Sequence, residues 1–390
     1  MLKRAVFILL FFISRYAAQS QFADTAMISQ LINDIAIKQV KGSSKNFYEG
    51  MFPSYRECGG SPHNYQPDNN IFYTAVSVFA LKNLLNDVSK PNQNKIENII
   101  KKAVQSYPLY RNKNGFPFYG FWANNDVIMP HTFVFQYMKT VFGQSEDADD
   151  SVMALMGLPN NENDNRELRK RLIETSNLSK KKIISTYRKY KQFPAYSTWV
   201  GQRMPVDFDF GVHCNVLYFI LQKKLSLVKQ DSATIALLAQ MIAHRDYMKA
   251  PVYISPYYVK TSVLLYHITR LLGKFSIPQL DVYKPQLIQD INQQLNVCNN
   301  VMDQIILRTS LLRLGAAASL LPYFSIADFE KSNQENYVFF QARAAFSYPT
   351  PLKQIFLHWS YIYYYFYCPA YYKILWLEYL VEKEKRSTIT

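Results

Sequence analysis

The sequence predicts an all-α protein in which six buried helices form a ring inside about six amphipathic ones, behind a cleavable leader. Three observations carry that expectation. The composition is apolar but poor in glycine and in Val/Thr alternation, one helix-start pattern recurs six times, and a short apolar run follows a basic N-terminus. With 49% hydrophobic residues in 390, the chain can bury a large core, and 12 glycines are few for the turns of an all-β fold of that size.

The leader comes first. Met1-Leu2-Lys3-Arg4 precedes an apolar run from Ala5 to Ile13, and Ala18 and Ser20 stand before Gln21. A basic start, a short apolar core and a small-residue exit are the parts of a secretory signal. The run is shorter than the roughly 20 residues a membrane span needs. Residues 1–20 are therefore read as a signal peptide, 21–390 as a single domain, and the protein as exported, periplasmic or secreted. An uncleaved anchor is the alternative.

The net charge is +15, and Lys3, Arg4 and Arg15 of the leader hold part of it. Much of the rest lies between Arg166 and Lys191, around Lys180-Lys181-Lys182 and Arg188-Lys189. Leu168, Leu172, Ile183 and Ile184 give that segment an apolar side, so it reads as a solvated helical face. Peripheral contact with an anionic membrane is the other reading. No motif points to nucleic acid. Cys58, Cys214, Cys298 and Cys368 are far apart and form no Cys-x-x-Cys pair, so they read as buried thiols, with room for one disulfide. The 6 histidines show no His-x-x-x-His or His-Glu-x-x-His spacing, and no Asp-Asp-x-x-Asp is present, so neither a metal nor another cofactor is expected.

The recurrence supplies the architecture. Six segments lead from polar or acidic residues through a small residue into an apolar run, with anchors near positions 74, 151, 214, 261, 309 and 372. Examples are Asp68-Asn69-Asn70 before Ile71, Asp147-Ala148-Asp149-Asp150-Ser151 before Val152, and Asp209-Phe210-Gly211 before Val212. Runs such as Val76 to Leu81 and Val216 to Leu221 are apolar all round, which a helix tolerates only when buried on every side. Amphipathic partners fit between them at Ile96 to Ser106, Arg166 to Thr175, Ser232 to His244 and Gln286 to Leu295. The first and last runs are as apolar as the middle ones, which favours a closed ring over an open solenoid with polar end repeats.

This pattern resembles the α/α-toroid proteins of the terpene-cyclase and squalene-cyclase-like superfamily. The resemblance is sharpest at Asp147-Ala148-Asp149-Asp150-Ser151, which is similar to the Asp-x-Asp-Asp-Thr-Ala element of class II cyclases, with Ser for Thr. The chain lacks a Gln-x-x-x-Gly-x-Trp repeat and has one helical domain where full class II enzymes have two. The resemblance implies an α/α toroid in which Asp149 protonates an isoprenoid alkene, with Asp147 and Asp150 raising its pKa.

On the residues alone, crowded carboxylates keep one of their number protonated. His213 could orient the acid, and Tyr73, Trp122, Trp199, Tyr257 and Tyr258 offer aromatic faces to a cation or a sugar. Asp68, Asn70 and Asp209 complete the set of candidate substrate-binding residues. The aromatic loops Tyr48 to Arg56 and Asn114 to Trp122 would border the same mouth. Two other readings stay open. A carbohydrate-active toroid would use Asp149 with Asp209 or Asp68. A non-catalytic, ligand-binding toroid would spend Asp68, Asp149 and Asp209 on helix caps.

Overall fold

The computed structural model describes residues 24–124, 146–201, 204–322, 325–331, 337–343, 349–356 and 359–387. The expected leader, 1–20, lies outside them. Helix α1 spans 24–38. It is followed by α2 (Ile71–Leu84), α3 (Lys90–Ala103), α4 (Ala148–Gly157), α5 (Glu162–Thr175), α6 (Phe210–Gln222) and α7 (Lys229–Ala243). Then come α8 (Thr261–Lys274), α9 (Lys284–Val297), α10 (Val301–Arg313) and α11 (Pro369–Ser387). The four amphipathic partners read from sequence are α3, α5, α7 and α9.

Burial follows the apolar pattern. Every residue of α4 and all but the last two of α6 are buried, whereas α9 buries only Leu287, Asp290 and Ile291. An all-apolar helix must be enclosed and an amphipathic one needs one covered face, so the two kinds alternate. Helix α2 packs on α4, α4 on α6, α6 on α8, α8 on α10, α10 on α11, and α11 again on α2. Outside them α3 lies on α2, α5 on α4, α7 on α6, and α9 on α10 and α8. Polar ties hold α1 beside α3: Lys95 Nζ donates to Asn33 Oδ1 at 2.7 Å, and Gln39 Nε2 to the Ile99 carbonyl at 2.9 Å.

The chain is mostly helical, with a sheet that the all-α reading did not foresee. Strands β1 (Ser54–Cys58), β2 (Gln66–Asp68), β5 (Phe340–Arg343) and β6 (Tyr363–Tyr367) form an antiparallel sheet in the order β2-β1-β6-β5. A two-stranded ribbon pairs β3 (Tyr119–Gly120) with β4 (Glu146–Asp147). The unbroken aromatic run Tyr363-Tyr364-Tyr365-Phe366-Tyr367, mostly buried, suits a strand, where large flat side chains pack on a pleated surface. The sheet meets the helix starts directly: the Tyr73 hydroxyl donates to the Phe366 carbonyl at 2.6 Å, and Phe72 stacks on Phe340 at 4.5 Å.

Five of the six anchor positions fall within the first five residues of a helix. The sixth does not. Thr309 and Ser310 lie well inside α10, and their hydroxyls donate back to the carbonyls of Ile305 and Ile306 at 2.9 and 2.7 Å. The actual start is capped by Asn300, whose Oδ1 accepts from Met302 N and Asp303 N. Small hydroxyl residues satisfy themselves inside a helix as readily as at its start, which is why the pattern misled there.

One further expectation is corrected, and the reading of the cysteines as thiols holds. The basic triplet Lys180 to Lys182 sits on a loop, because α5 ends at Thr175. The Asn177 side chain then fastens an irregular turn, donating to the carbonyls of Lys191 (3.0 Å) and Phe193 (2.7 Å) and accepting from Ile183 N. All four cysteines are free thiols, with Cys214 and Cys368 buried and Cys58 and Cys298 half-buried, so no disulfide forms. No described helix is long and apolar enough to cross a membrane.

Candidate functional site

The acidic element begins α4, and its three carboxylates take three different places. Asp147 is the N-cap: its Oδ1 accepts from Asp149 N at 2.6 Å and Asp150 N at 3.3 Å. Asp149, one residue into the first turn, points elsewhere and is 3% exposed. Its Oδ1 accepts from Asn215 Nδ2 of α6 at 2.6 Å, and its Oδ2 accepts from the Tyr258 hydroxyl. Asp150 is buried as well, and neither of its carboxyl oxygens has a hydrogen-bond partner among the described residues.

The expected caps therefore need correcting. Asp209 does cap α6, accepting from Gly211 N (2.8 Å) and Val212 N (3.1 Å). Asp149 caps nothing. Asp68 leaves the cap of α2 to Asn70 and instead accepts from Arg56 Nη1 at 2.8 Å and Trp122 Nε1 at 3.2 Å. An arginine on the neighbouring strand can claim an aspartate that local sequence assigns to the helix.

Burial dominates the electrostatics. It lifts the Asp149 carboxyl to about 6, although Tyr258, Asn215 and the charge of Arg270 all favour the ionised form. Burial lifts Asp209 to about 7 against its hydrogen bonds to Tyr257 N (2.9 Å), Ser255 Oγ (2.7 Å) and the α6 amides. Burial also pushes Asp150 and Asp147 well up, helped by the like charges of their acidic neighbours. The cluster thus holds protons near neutral pH, as like charges in a dry site require.

His213 does not reach these acids. Its Nε2 donates to the Tyr196 carbonyl at 2.8 Å, its Nδ1 has no partner among the described residues, and burial holds the ring neutral, down to about 4. Trp199 lies across a β-bridge from Asp147 and edge-on to Tyr257 at 6.0 Å, so both belong to the cluster. Asp68, Asn70, Trp122 and Tyr73 form a second group at the start of α2. An aromatic wall joins the groups: Phe340 stacks on Phe72 (4.5 Å), Phe121 (5.6 Å) and Tyr257 (6.3 Å), and meets Tyr258 edge-on (5.7 Å).

Sequence reading missed the residues behind Asp149. Asn215 Oδ1 accepts from Arg270 Nη2 at 2.5 Å and lies 3.1 Å from His267 Nδ1, so a polar line runs from Tyr258 through Asp149 and Asn215 into the interior. The signal was present: Asn215, His267 and Arg270 each interrupt an otherwise apolar helical run, where a polar residue must be enclosed. A cavity of ≈ 260 Å³ opens beside Trp199, with Arg171, Lys180 and Lys181 among its walls. Among the described residues, no group of three or more His, Cys, Asp or Glu side chains is placed to hold a metal ion. No protein-family model, curated protein or solved structure matches the chain.

Proposed function

We propose that the six buried helices form an α/α toroid whose N-terminal mouth carries an acid site, and that Asp149 protonates an isoprenoid alkene there. The toroid reading is supported by the neighbour order of the helices, which returns from α11 to α2, and by the second layer of α3, α5, α7 and α9 outside it. The acid reading rests on one observation above the others. Asp147 does the capping, which leaves Asp149 buried, uncommitted to the helix start and titrating near neutral pH.

The chemistry follows from those contacts. Burial raises the Asp149 carboxyl to about 6, so the protonated form is populated on the acid side of neutrality, and its O–H proton passes to an alkene carbon to leave a carbocation. Tyr258 and Asn215 already donate to the two carboxyl oxygens, so they stabilise the carboxylate as it forms, and Arg270 supports it through Asn215. Phe72 and Tyr257 stack on Phe340 beside the acids, and a ring face turned toward the substrate would stabilise the cation. The cyclised cation loses a C–H proton to water and the Asp149 carboxylate regains one from water, which returns the acid to its starting state. Trp199 belongs both to the cluster and to the neighbouring cavity, which makes that side the approach for substrate. Export remains the expectation drawn from the leader.

The test is incubation of the purified chain with squalene and with geranylgeraniol, followed by gas chromatography and mass spectrometry. A cyclised isomer of unchanged mass is expected, and its formation should fall by about 10²–10⁴-fold in Asp149→Asn. Equal turnover in the variant removes Asp149 as the acid, and no isomer from either compound removes the isoprenoid substrate class. A ligand-binding toroid without chemistry is the second reading. It is favoured by the aromatic wall packed over the acids and by the occupation of both Asp149 oxygens.

A further inference from the structure

A second cavity, of ≈ 290 Å³, opens at the other end of the helices, where α2, α6, α8, α10 and α11 finish. That is close to the lower size of small-molecule sites, about 300 Å³. Among the described residues its walls carry five cationic side chains and three carboxylates. Four of the cations are accounted for locally. Lys274, Arg313, Lys385 and Arg386 occupy the last turns of their helices, where the helix dipole favours positive charge. Arg313 is further paired with Glu378 at 2.9 Å, and Lys385 with Asp87 at 3.1 Å.

Arg270 is different. It lies a turn deeper in α8, is 5% exposed, and has no carboxylate partner among the described residues. Its Nη2 is used on Asn215, while Nη1 of Arg270 and Nη1 of Arg313 both lack an acceptor among the described residues. The two guanidiniums flank one ring, that of Tyr266, at 5.2 and 4.7 Å from its centroid. Gly273 makes the approach possible, because a Cβ there would lie 2.9 Å from the Arg313 Cβ. Bringing a buried and a largely buried cation together without a counter-charge for each is costly unless something supplies the missing charge.

We propose that this cavity binds a small oxyanion, inorganic phosphate or a phosphomonoester, held by Arg270 and Arg313 with Lys274 at the rim. A guanidinium presents its N–H groups as a planar fork that matches two oxygens of a phosphate, and each arginine here has one arm of the fork unused. Both side chains line the cavity, and seating the anion requires them to turn those arms toward it. Arg270 touches the acid cluster through Asn215, but the anion site lies on the other side of that arginine and does not rest on the isoprenoid reading.

Thermal unfolding of the full chain against inorganic phosphate, at ionic strength fixed with sodium chloride, tests it, with acetate in parallel. A saturable rise in Tm is expected with phosphate, about 2 °C at a tenfold excess over Kd, and none with acetate. Arg313→Gln should weaken the apparent affinity at least tenfold. Lys274→Gln, at an exposed position where folding is not at stake, should weaken it about threefold. A rise that does not saturate, that acetate reproduces, or that Lys274→Gln leaves unchanged overturns the proposal.

Discussion

At the scale of single residues, Asp149 separates a structural role from a chemical one. In the unfolded chain its carboxyl titrates near the ordinary ~3.9, and in the fold near about 6. Between those values the folded chain binds a proton that the unfolded chain has lost. The stability this group contributes is therefore complete below ~4 and is lost as pH rises through about 6. His213 runs the other way: neutral in the fold and pushed down to about 4, it contributes stability above the ordinary ~6.5 that is lost as pH falls. The two slopes offset in the wild type, so the difference between variants is the informative quantity. Asp149→Asn cannot titrate, and its penalty should shrink by about 2–3 kcal/mol between pH 4 and pH 7. Urea denaturation of both proteins at three pH values measures it. A penalty independent of pH would mean that Asp149 is ionised throughout, and would remove it as an acid.

At the scale of elements, the start of α6 is fitted to the ring that holds Asp149. Alanine in a helix ordinarily improves on glycine by roughly 0.5–1 kcal/mol. At Gly211 that preference should reverse, because a Cβ would lie 2.4 Å from Tyr258 Cδ2. The Tyr258 ring has no easy retreat, with His267 at 4.3 Å, Phe339 at 5.8 Å and Phe340 at 5.7 Å. Gly211→Ala should cost about 1–3 kcal/mol in overpacking and pull the Tyr258 hydroxyl off Asp149. Denaturant unfolding gives the sign directly, and a more stable variant would show that the ring is free to swing. The same element explains why the capping rule half-succeeded. A cap needs an acceptor at one position only, and where several aspartates crowd a helix start, backbone geometry chooses among them.

At the scale of the whole molecule, α11 ties the last part of the chain to the first. Lys373 is fully buried and donates to Asp34 of α1 and to Glu330 at 2.6 Å, while Lys383 reaches Asp24 at 2.6 Å. Asp34 and Glu330 are partly exposed, so water screens what remains when the lysine is removed. Lys373→Met should therefore cost about 2–4 kcal/mol, below the full penalty for stranding buried charge. It should also speed hydrogen exchange across residues 24–38 more than across α4 or α6. Unchanged exchange in α1 would show that apolar packing alone holds the two ends together.

The sequence by itself determined the helices, because enclosure writes itself as an apolar run and a half-covered face as a 3.6-residue stripe. Residues such as Val76 to Leu81 and Val216 to Leu221 could lie nowhere but inside, and the polar leaders before them marked most of the starts. Tertiary structure decided the partners. Asp68 goes to Arg56, Asp149 to Tyr258 and Asn215, and His213 to the Tyr196 carbonyl, each across at least 12 residues of chain. Thr309, a start by pattern, closes on its own helix, and β5 and β6 build on β1 a sheet that no local alternation announced. The pKa values belong to the same category. An aspartate's sequence neighbours predict repulsion, but how much water it loses depends on α2, α6 and the Tyr257–Tyr258 segment closing over it, and that desolvation is the largest cause at Asp149.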